Sequence, residues 1–313
     1  MIIKICLVVV ILLVLFILLI GLYVFLSACM RRKERPWLDF DALRKTPYGK
    51  YEELIRCSDQ FLKDHNAKDV YVKSCDGLKL HGLWVPVENA KGTILMAHGY
   101  RSTYMVDFGK ALKMYHELGF NLLLPQQRAC GQSEGRIITF GVKESRDMLK
   151  WLEMHNKTFG YHQVILSGMS MGASTMMYLM DKKLPENVKG VIVDCGFTSP
   201  AEIISKVITD RTKLPAVPFI WIADLWARIL GQFSFYACDS KKILPHNKLP
   251  IIMVHGKEDH FVPCYMTEEG FRCCNGNKQL LLADGAGHGL SFIYATAEYT
   301  QMIEKFLKDN IKE

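Results

Sequence analysis

Val164-Ile165-Leu166-Ser167-Gly168-Met169-Ser170-Met171-Gly172-Ala173 is the stretch that decides how this chain is read. Val164–Ser167 is a short β-type run. Gly168 to Gly172 is a G-x-S-x-G pentapeptide, and a stretch rich in small and helix-compatible residues follows it. Strand, sharp turn and helix in that order form a nucleophile elbow, which lifts a serine hydroxyl above a sheet edge. The turn is so tight that the positions two before and two after Ser170 must lack bulk. It also leaves the Met171 N–H at a helix amino end, where it can donate to a developing oxyanion.

Serine is a weak nucleophile until a base takes its proton. Ten histidines are present, so position has to select among them. His288 stands in Gly285-Ala286-Gly287-His288-Gly289, after the last strand-like run and before the last helix. Glycines there allow a loop to carry the imidazole back over the sheet. The imidazole needs an acid to fix its tautomer and to stabilise its cation. Asp259, in His255-Gly256-Lys257-Glu258-Asp259-His260, follows the penultimate strand and gives the order Ser, Asp, His. Asp194 also ends a strand and is a rival; Glu258 is a weaker one. His98-Gly99-Tyr100-Arg101 follows the strand Thr93–Ala97. Gly99 permits close backbone approach, so the Tyr100 N–H is expected as the second oxyanion donor, with His98 bracing the loop.

Outward from these motifs, strand-like runs at Thr93–Ala97, Phe120–Leu124, Val164–Ser167, Val188–Asp194, Ile251–His255 and Gln279–Ala283 alternate with helical stretches near 104–117, 141–156, 171–183, 263–273 and 291–310. Short apolar runs separated by helices indicate parallel strands covered on both faces. Val70–Val72 and Leu80–Val85 flank Asp76-Gly77, a hairpin signal that precedes the parallel part. From Phe197 to Lys242 the rhythm breaks. Trp221, Trp226, Phe233, Phe235 and Tyr236 lie among helix-like stretches there, as in a lid.

No charge occurs from Ile5 through Met30, and Leu7–Leu26 is nearly all Leu, Ile, Val and Phe. About 20 such residues cross a bilayer as a helix, so this segment is expected to be a transmembrane anchor. Lys4 precedes it; Arg31, Arg32, Lys33 and Arg35 follow it. The heavier positive flank places the rest of the chain in the cytoplasm of a single-pass membrane protein. The alternative is an extracellular lipoprotein anchored at Cys29, because Leu26-Ser27-Ala28-Cys29 resembles a lipoprotein cleavage box. The expected division is an anchor over 1–30, a juxtamembrane linker and helix over 31–68, and an α/β domain over 69–313 with its lid at about 197–242.

Composition narrows the remaining classes. Hydrophobic residues make up 50% and charged residues 23%, which excludes a disordered chain. The formal net charge of +7 has no basic stripe with interleaved aromatics, so no nucleic-acid partner is expected. The ten cysteines show no CxxC spacing, and no HExxH occurs, so neither a disulfide framework nor a zinc site is expected. No cofactor is needed for the chemistry above. The sequence carries no signal for oligomeric state.

The chain from about Val70 onward resembles the α/β-hydrolase superfamily, in particular its serine aminopeptidase-like and lysophospholipase-like branch and that branch's membrane-anchored bacterial members. His98-Gly99-Tyr100, Pro125 to Ser133, Gly168 to Gly172, Asp194 to Phe197, His255 to Asp259 and Gly287-His288-Gly289 carry the resemblance. It implies a mostly parallel central sheet with helices on both faces and a helical lid, a Ser170–His288–Asp259 triad, and oxyanion donors at Met171 and Tyr100. In one loop the chain departs from the pattern: where this branch reads Asp-x-Arg-x-His-Gly-x-Ser, Gln126 replaces the Asp and Cys130 the His.

The expected activity is that of a serine hydrolase cleaving a carboxylic ester, thioester or small amide through an acyl-enzyme. Its partners would be a small-molecule ester, acyl or peptide substrate and, through the amino-terminal helix, a membrane. A serine aminopeptidase is the first alternative; it would need an acid in the lid, such as Glu202, Asp210 or Asp224, to hold an ammonium. A non-catalytic membrane scaffold with the same fold is the second.

Overall fold

A computed structural model describes residues 1–46 and 48–312. The strands are β1 (Lys68–Lys73), β2 (Lys79–Val85), β3 (Gly92–Ala97), β4 (Phe120–Pro125), β5 (Val164–Met169), β6 (Val188–Asp194), β7 (Ile251–Gly256) and β8 (Lys278–Ala283). They form one sheet in the order β1-β2-β4-β3-β5-β6-β7-β8. β1 and β2 form the expected hairpin, and β2 pairs antiparallel with β4. Every later pairing is parallel.

Both faces of the sheet are covered because its strands are apolar at consecutive positions, and alternate side chains serve opposite cores. Leu95, Val191, Val193 and Met253 point to one side, where they pack with Met148, Trp151 and Leu152 of the helix Glu144–Thr158 and Met176 and Tyr178 of Met171–Leu179. Ile94, Met96, Ile192 and Ile252 point to the other, against Leu112 and Tyr115 of Gly109–Glu117 and Ile303 and Phe306 of Thr296–Asn310. Two expected helices are interrupted: Tyr104–Asp107 is separated from Gly109–Glu117, and Ser291–Tyr294 from Thr296–Asn310. Both breaks are local, since Gly109 takes a positive φ and Ala295 leaves helical geometry.

Between β6 and β7 the chain forms the helices Pro200–Thr212, Phe219–Gly231 and Ser240–Ile243, and no strand is found there among the described residues. Ser199 caps the first by accepting the Glu202 N–H, with Pro200 at its first turn.

The helix Ile2–Cys29 is long and apolar enough to cross a bilayer. Its last turns do not stand free. Phe25 and Cys29 are fully buried in the core on the side of the sheet that carries the helix Met171–Leu179. The Cys29 carbonyl accepts the Ile138 N–H at 2.7 Å, and the Arg31 N–H donates to the Arg136 carbonyl at 2.7 Å. The Arg31 guanidinium donates to the carbonyls of Ser133 and Gly131. The basic run after the helix is thus partly bound into the domain. The helices Phe40–Arg44 and Glu52–Asp64 pack on the other face through Leu43, Ile55 and Leu62.

Candidate active site

Strand order reverses around β3, which lies between β4 and β5. Open α/β sheets bind ligands outside the carboxyl ends of their strands at such a point. Register brings the relevant loops together there. Ala97 of β3 lies opposite Gly168 of β5, and Met169 lies opposite Asp194 of β6. The segments that begin at His98 and Ser170 therefore leave the sheet side by side.

Ser170 has φ +55° and ψ −118° and sits just before the helix Met171–Leu179. A positive φ at a non-glycine residue costs on the order of 1–3 kcal/mol, so the surroundings must hold it. Its N–H donates to the Asp194 carbonyl at 2.8 Å, and its carbonyl accepts the Ser174 N–H. The bulk restriction on either side holds. A Cβ on Gly172 would lie 1.8 Å from the Ala97 carbonyl oxygen, and one on Gly168 would lie 2.4 Å from that of Gly172.

His288 Nε2 is 3.0 Å from Ser170 Oγ, and its Nδ1 is 2.6 Å from Asp259 Oδ2. Asp259 is buried and richly partnered. Its Oδ1 accepts the N–H groups of Phe261 and Val262, each at 2.9 Å. Its Oδ2 also lies 3.2 Å from His255 Nε2. Burial by itself would raise this carboxyl; the hydrogen bonds from His255 and His288 prevail and hold it well below the usual carboxylate range. Glu258 N–H donates to the Ala286 carbonyl, which ties the acid loop to the histidine loop. The Phe261 ring stands edge-on to the imidazole at 5.1 Å.

Of the two rivals, Asp194 does not reach the imidazole. Its Oδ1 accepts the Ser291 hydroxyl at 3.0 Å, and its Oδ2 has no partner among the described residues. Burial pushes its carboxyl up to about 6. Glu258 is exposed. Cys195 is close to Asp259 and His288, with ligating atoms within 4.8 Å of one another. Its thiol is driven up by burial and donates to Met169 Sδ at 3.4 Å, a contact of a protonated thiol rather than of a metal-binding thiolate.

The loop after β3 lies against Ser170, since a Cβ on Gly99 would be 3.2 Å from Ser170 Cβ. The N–H groups of Tyr100 and Met171 donate to no group among the described residues. His98 braces this loop as expected: its Nε2 accepts the Gln127 N–H at 3.0 Å, which leaves Nδ1 to donate to the Gly99 carbonyl at 2.8 Å.

Three supports act through contacts that the sequence does not show. The half-buried Asp107 carboxylate accepts the Gly99 N–H and the Ser102 hydroxyl, fixing the same loop that His98 braces. His255 lies beneath Asp259 and is itself held by Thr267 Oγ1 at 2.6 Å and the Val262 carbonyl at 2.8 Å. The third is the amino-terminal helix. Tyr100 Oη donates to the Ala28 carbonyl, and the Arg101 guanidinium spans the carbonyls of Ser27, Ala28 and Met30.

The substituted loop after β4 has substitute bracing. Gln126 Oε1 accepts the Gln132 N–H at 2.7 Å and faces His81 Nδ1 at 2.8 Å. The Cys130 thiol donates to the Ser102 carbonyl at 3.3 Å.

Residues 92–225 match a family model described as alpha/beta hydrolase fold. Among curated proteins, the chain is 25% identical over 243 residues to the uncharacterised protein YqkD of Bacillus subtilis, covering 77% of this chain and 79% of that one. It is 23% identical over 228 residues to the uncharacterised protein YfhR of Escherichia coli K12, covering 71% and 74%. Among solved structures, it is similar to the esterase Pf2001 of Pyrococcus furiosus, with a TM-score of 0.65, 20% identity and coverage of 80% of this chain and 94% of that one. A thermophilic esterase from Thermogutta terrifontis gives a TM-score of 0.55 at 18% identity, covering 78% and 99%. Sheet order, the sharp turn at Ser170 and these likenesses lead to one conclusion: the chain has the α/β-hydrolase fold.

Proposed function

We propose that this chain is a membrane-anchored serine hydrolase that cleaves a carboxylic ester or thioester through an acyl-enzyme on Ser170. The observation that carries the reading is the continuous hydrogen-bond chain from Ser170 Oγ through His288 to Asp259. With Asp259 ionised, His288 carries its proton on Nδ1 and presents a basic Nε2 to the serine. Ser170 Oγ attacks the substrate carbonyl while Nε2 takes the hydroxyl proton. The Met171 and Tyr100 N–H groups receive the oxyanion. The imidazolium then protonates the leaving group as the carbon–oxygen or carbon–sulfur bond breaks. Water repeats the sequence on the acyl-enzyme, with His288 as base, and frees the acid. Two of the solved structures similar to this chain are named esterases, which agrees with such a reaction.

The acids that an aminopeptidase would use are already engaged. Glu202 pairs with Lys241 at 3.2 Å and accepts the Thr198 hydroxyl. Asp210 pairs with Lys206. Asp224 is buried and accepts from Arg228, Ser234 and the Phe235 N–H. An ester or thioester is therefore favoured over an aminoacyl substrate, and the complete hydrogen-bond chain favours catalysis over a scaffold role.

The helix Ile2–Cys29 serves as the anchor, with the basic flank and the catalytic domain on the cytoplasmic side. The buried positions of Phe25 and Cys29 speak against cleavage and lipidation at Cys29, because cleavage there would pull Phe25 out of the core.

Turnover of p-nitrophenyl esters of graded chain length by the full-length protein tests the activity. Wild type is expected to hydrolyse at least one of them, and Ser170→Ala to lose that activity while remaining folded. Equal turnover by both proteins would overturn the reading.

A further inference from the structure

The helix Phe219–Gly231 carries an unusual surface. Trp221, Leu225 and Ile229, spaced one helical turn apart, are 59%, 42% and 58% exposed. Leu214 and Val217, just before the helix, are also exposed, as are the flanking cations Arg211 and Lys213. A soluble domain rarely leaves so continuous an apolar row facing water. The row adjoins the amino-terminal helix. At about 100° per residue, Ile222 and Trp226 follow directly around the helix from Ile229. Those two residues touch the anchor: Trp226 Nε1 donates to the Leu18 carbonyl at 2.9 Å, and Ile222 lies against Gly21, where a Cβ would meet it at 2.2 Å. Row and anchor make one unbroken apolar surface.

Length fixes where that surface lies. Every side chain from Ile3 to Phe16 is exposed, and contact with the domain begins at Ile17. The stretch Ile3–Phe16 spans only about 21 Å at 1.5 Å per residue. The hydrocarbon is about 30 Å thick. With Lys4 at the far interface, the crossing needs about 20 residues and so runs from Ile5 to near Val24. That interval includes Leu18 and Gly21, the positions on which the helix Phe219–Gly231 rests.

We infer that the helix Phe219–Gly231 is itself a membrane-contacting element, with Trp221, Leu225 and Ile229 inserted into the acyl region of the same leaflet in which the anchor ends. This rests on the anchor assignment above. The catalytic domain is then held to the bilayer by two elements rather than hung from one. Arg211 and Lys213 lie at the headgroup level, and the indole and aliphatic row lies below it.

The test uses full-length protein reconstituted in phosphatidylcholine vesicles whose acyl chains carry bromine, with unbrominated vesicles as reference. Bromine quenches tryptophan only on contact. Wild type is expected to be quenched clearly more than Trp221→Phe, a replacement on an exposed position that keeps the row apolar. Extraction with alkaline carbonate is run on the same samples. Protein retained in the vesicles with identical quenching in wild type and Trp221→Phe overturns the inference and leaves the anchor standing. That same result is expected if a second protein chain, rather than lipid, covers the row. Release of the wild-type protein by carbonate overturns the anchor assignment and the inference with it.

Discussion

Tyr100 Oη donates to the carbonyl of Ala28 at 2.5 Å, joining the loop after β3 to the end of the amino-terminal helix. Burial pushes this phenol up to about 12, so it remains a donor at neutral pH. Arg101 reinforces the joint, with Nη2 at 2.6 Å from the Met30 carbonyl. A cation at a helix carboxyl end complements its dipole and its unpaired carbonyls. The helix therefore braces the segment that would supply an oxyanion donor. Tyr100→Phe keeps the backbone N–H and removes one hydrogen bond, an expected loss of about 1 kcal/mol in stability. Arg101→Ala removes the bridge to three carbonyls and is expected to lower kcat on an ester by on the order of tenfold or more, with KM little changed, because small misplacements of a reacting constellation are costly. Steady-state kinetics on both variants, with thermal denaturation alongside, checks this.

The two candidate acids separate by mutation. Asp259→Asn leaves His288 with the wrong tautomer and is expected to reduce turnover by about 10³–10⁴. The Asp194 carboxyl bonds neither His288 nor Ser170, and Asp194→Asn keeps the backbone carbonyl that accepts the Ser170 N–H, so it is expected to leave turnover near the wild-type level. Ester hydrolysis by the two purified variants decides between them.

Glycine at 172 is a steric requirement. Gly172→Ala places a methyl against two backbone carbonyls, those of Ala97 and His98. It is expected to destabilise by more than about 4 kcal/mol, visible as loss of folded protein or a collapsed thermal midpoint. At Gly287 the nearest atom to a new Cβ is 3.8 Å away, and no positive φ is required. Gly287→Ala is expected to stay within about 1 kcal/mol of wild type, by the same denaturation measurement.

Asp194 gives a pH signature. Its folded-state carboxyl titrates at about 6 against an ordinary 3.8 because burial disfavours the charge. A raised value means that its contribution to stability is complete below pH ~4 and is lost as pH rises through about 6. The full loss is of the order of 3 kcal/mol, at about 1.4 kcal/mol per pH unit. Wild type should lose stability over that window more steeply than Asp194→Asn, whose amide cannot ionise. Parallel slopes for the two proteins in denaturant titrations from pH 4 to 7 would contradict this assignment.

Much of this was legible because it depends on local pattern. The apolar runs gave the parallel strands and Asp76-Gly77 the opening hairpin. The positions of Ser170, Asp259 and His288 just after β5, β7 and β8 placed three side chains at one end of the sheet, where they meet in the structure. Asp194 stayed open as a rival because ending a strand says nothing about which way a carboxylate turns; Ser291, distant in sequence, holds it elsewhere. Asp107 and His255 were invisible for the same reason. Asp107 acts through Gly99 and Ser102, and His255, although it opens the segment His255 to Asp259, acts through Thr267, Val262 and Asp259, contacts that only the fold creates. The packing of the helix Ile2–Cys29 on the domain was equally hidden, since an apolar run reads the same whether lipid or protein covers its end. Gln126 and Cys130 looked like losses, yet their side chains bond other partners and keep the loop braced.

Above all, the proposed reaction requires Ser170 to be an activated nucleophile. Its most direct test is peptide-resolved mass spectrometry of the full-length protein after exposure to a fluorophosphonate. One phosphonyl adduct is expected on the Ser170 peptide, absent in Ser170→Ala and strongly reduced in a His288→Ala protein that remains folded. A folded wild-type protein that takes up no adduct, or takes it up elsewhere and equally in Ser170→Ala, would contradict it.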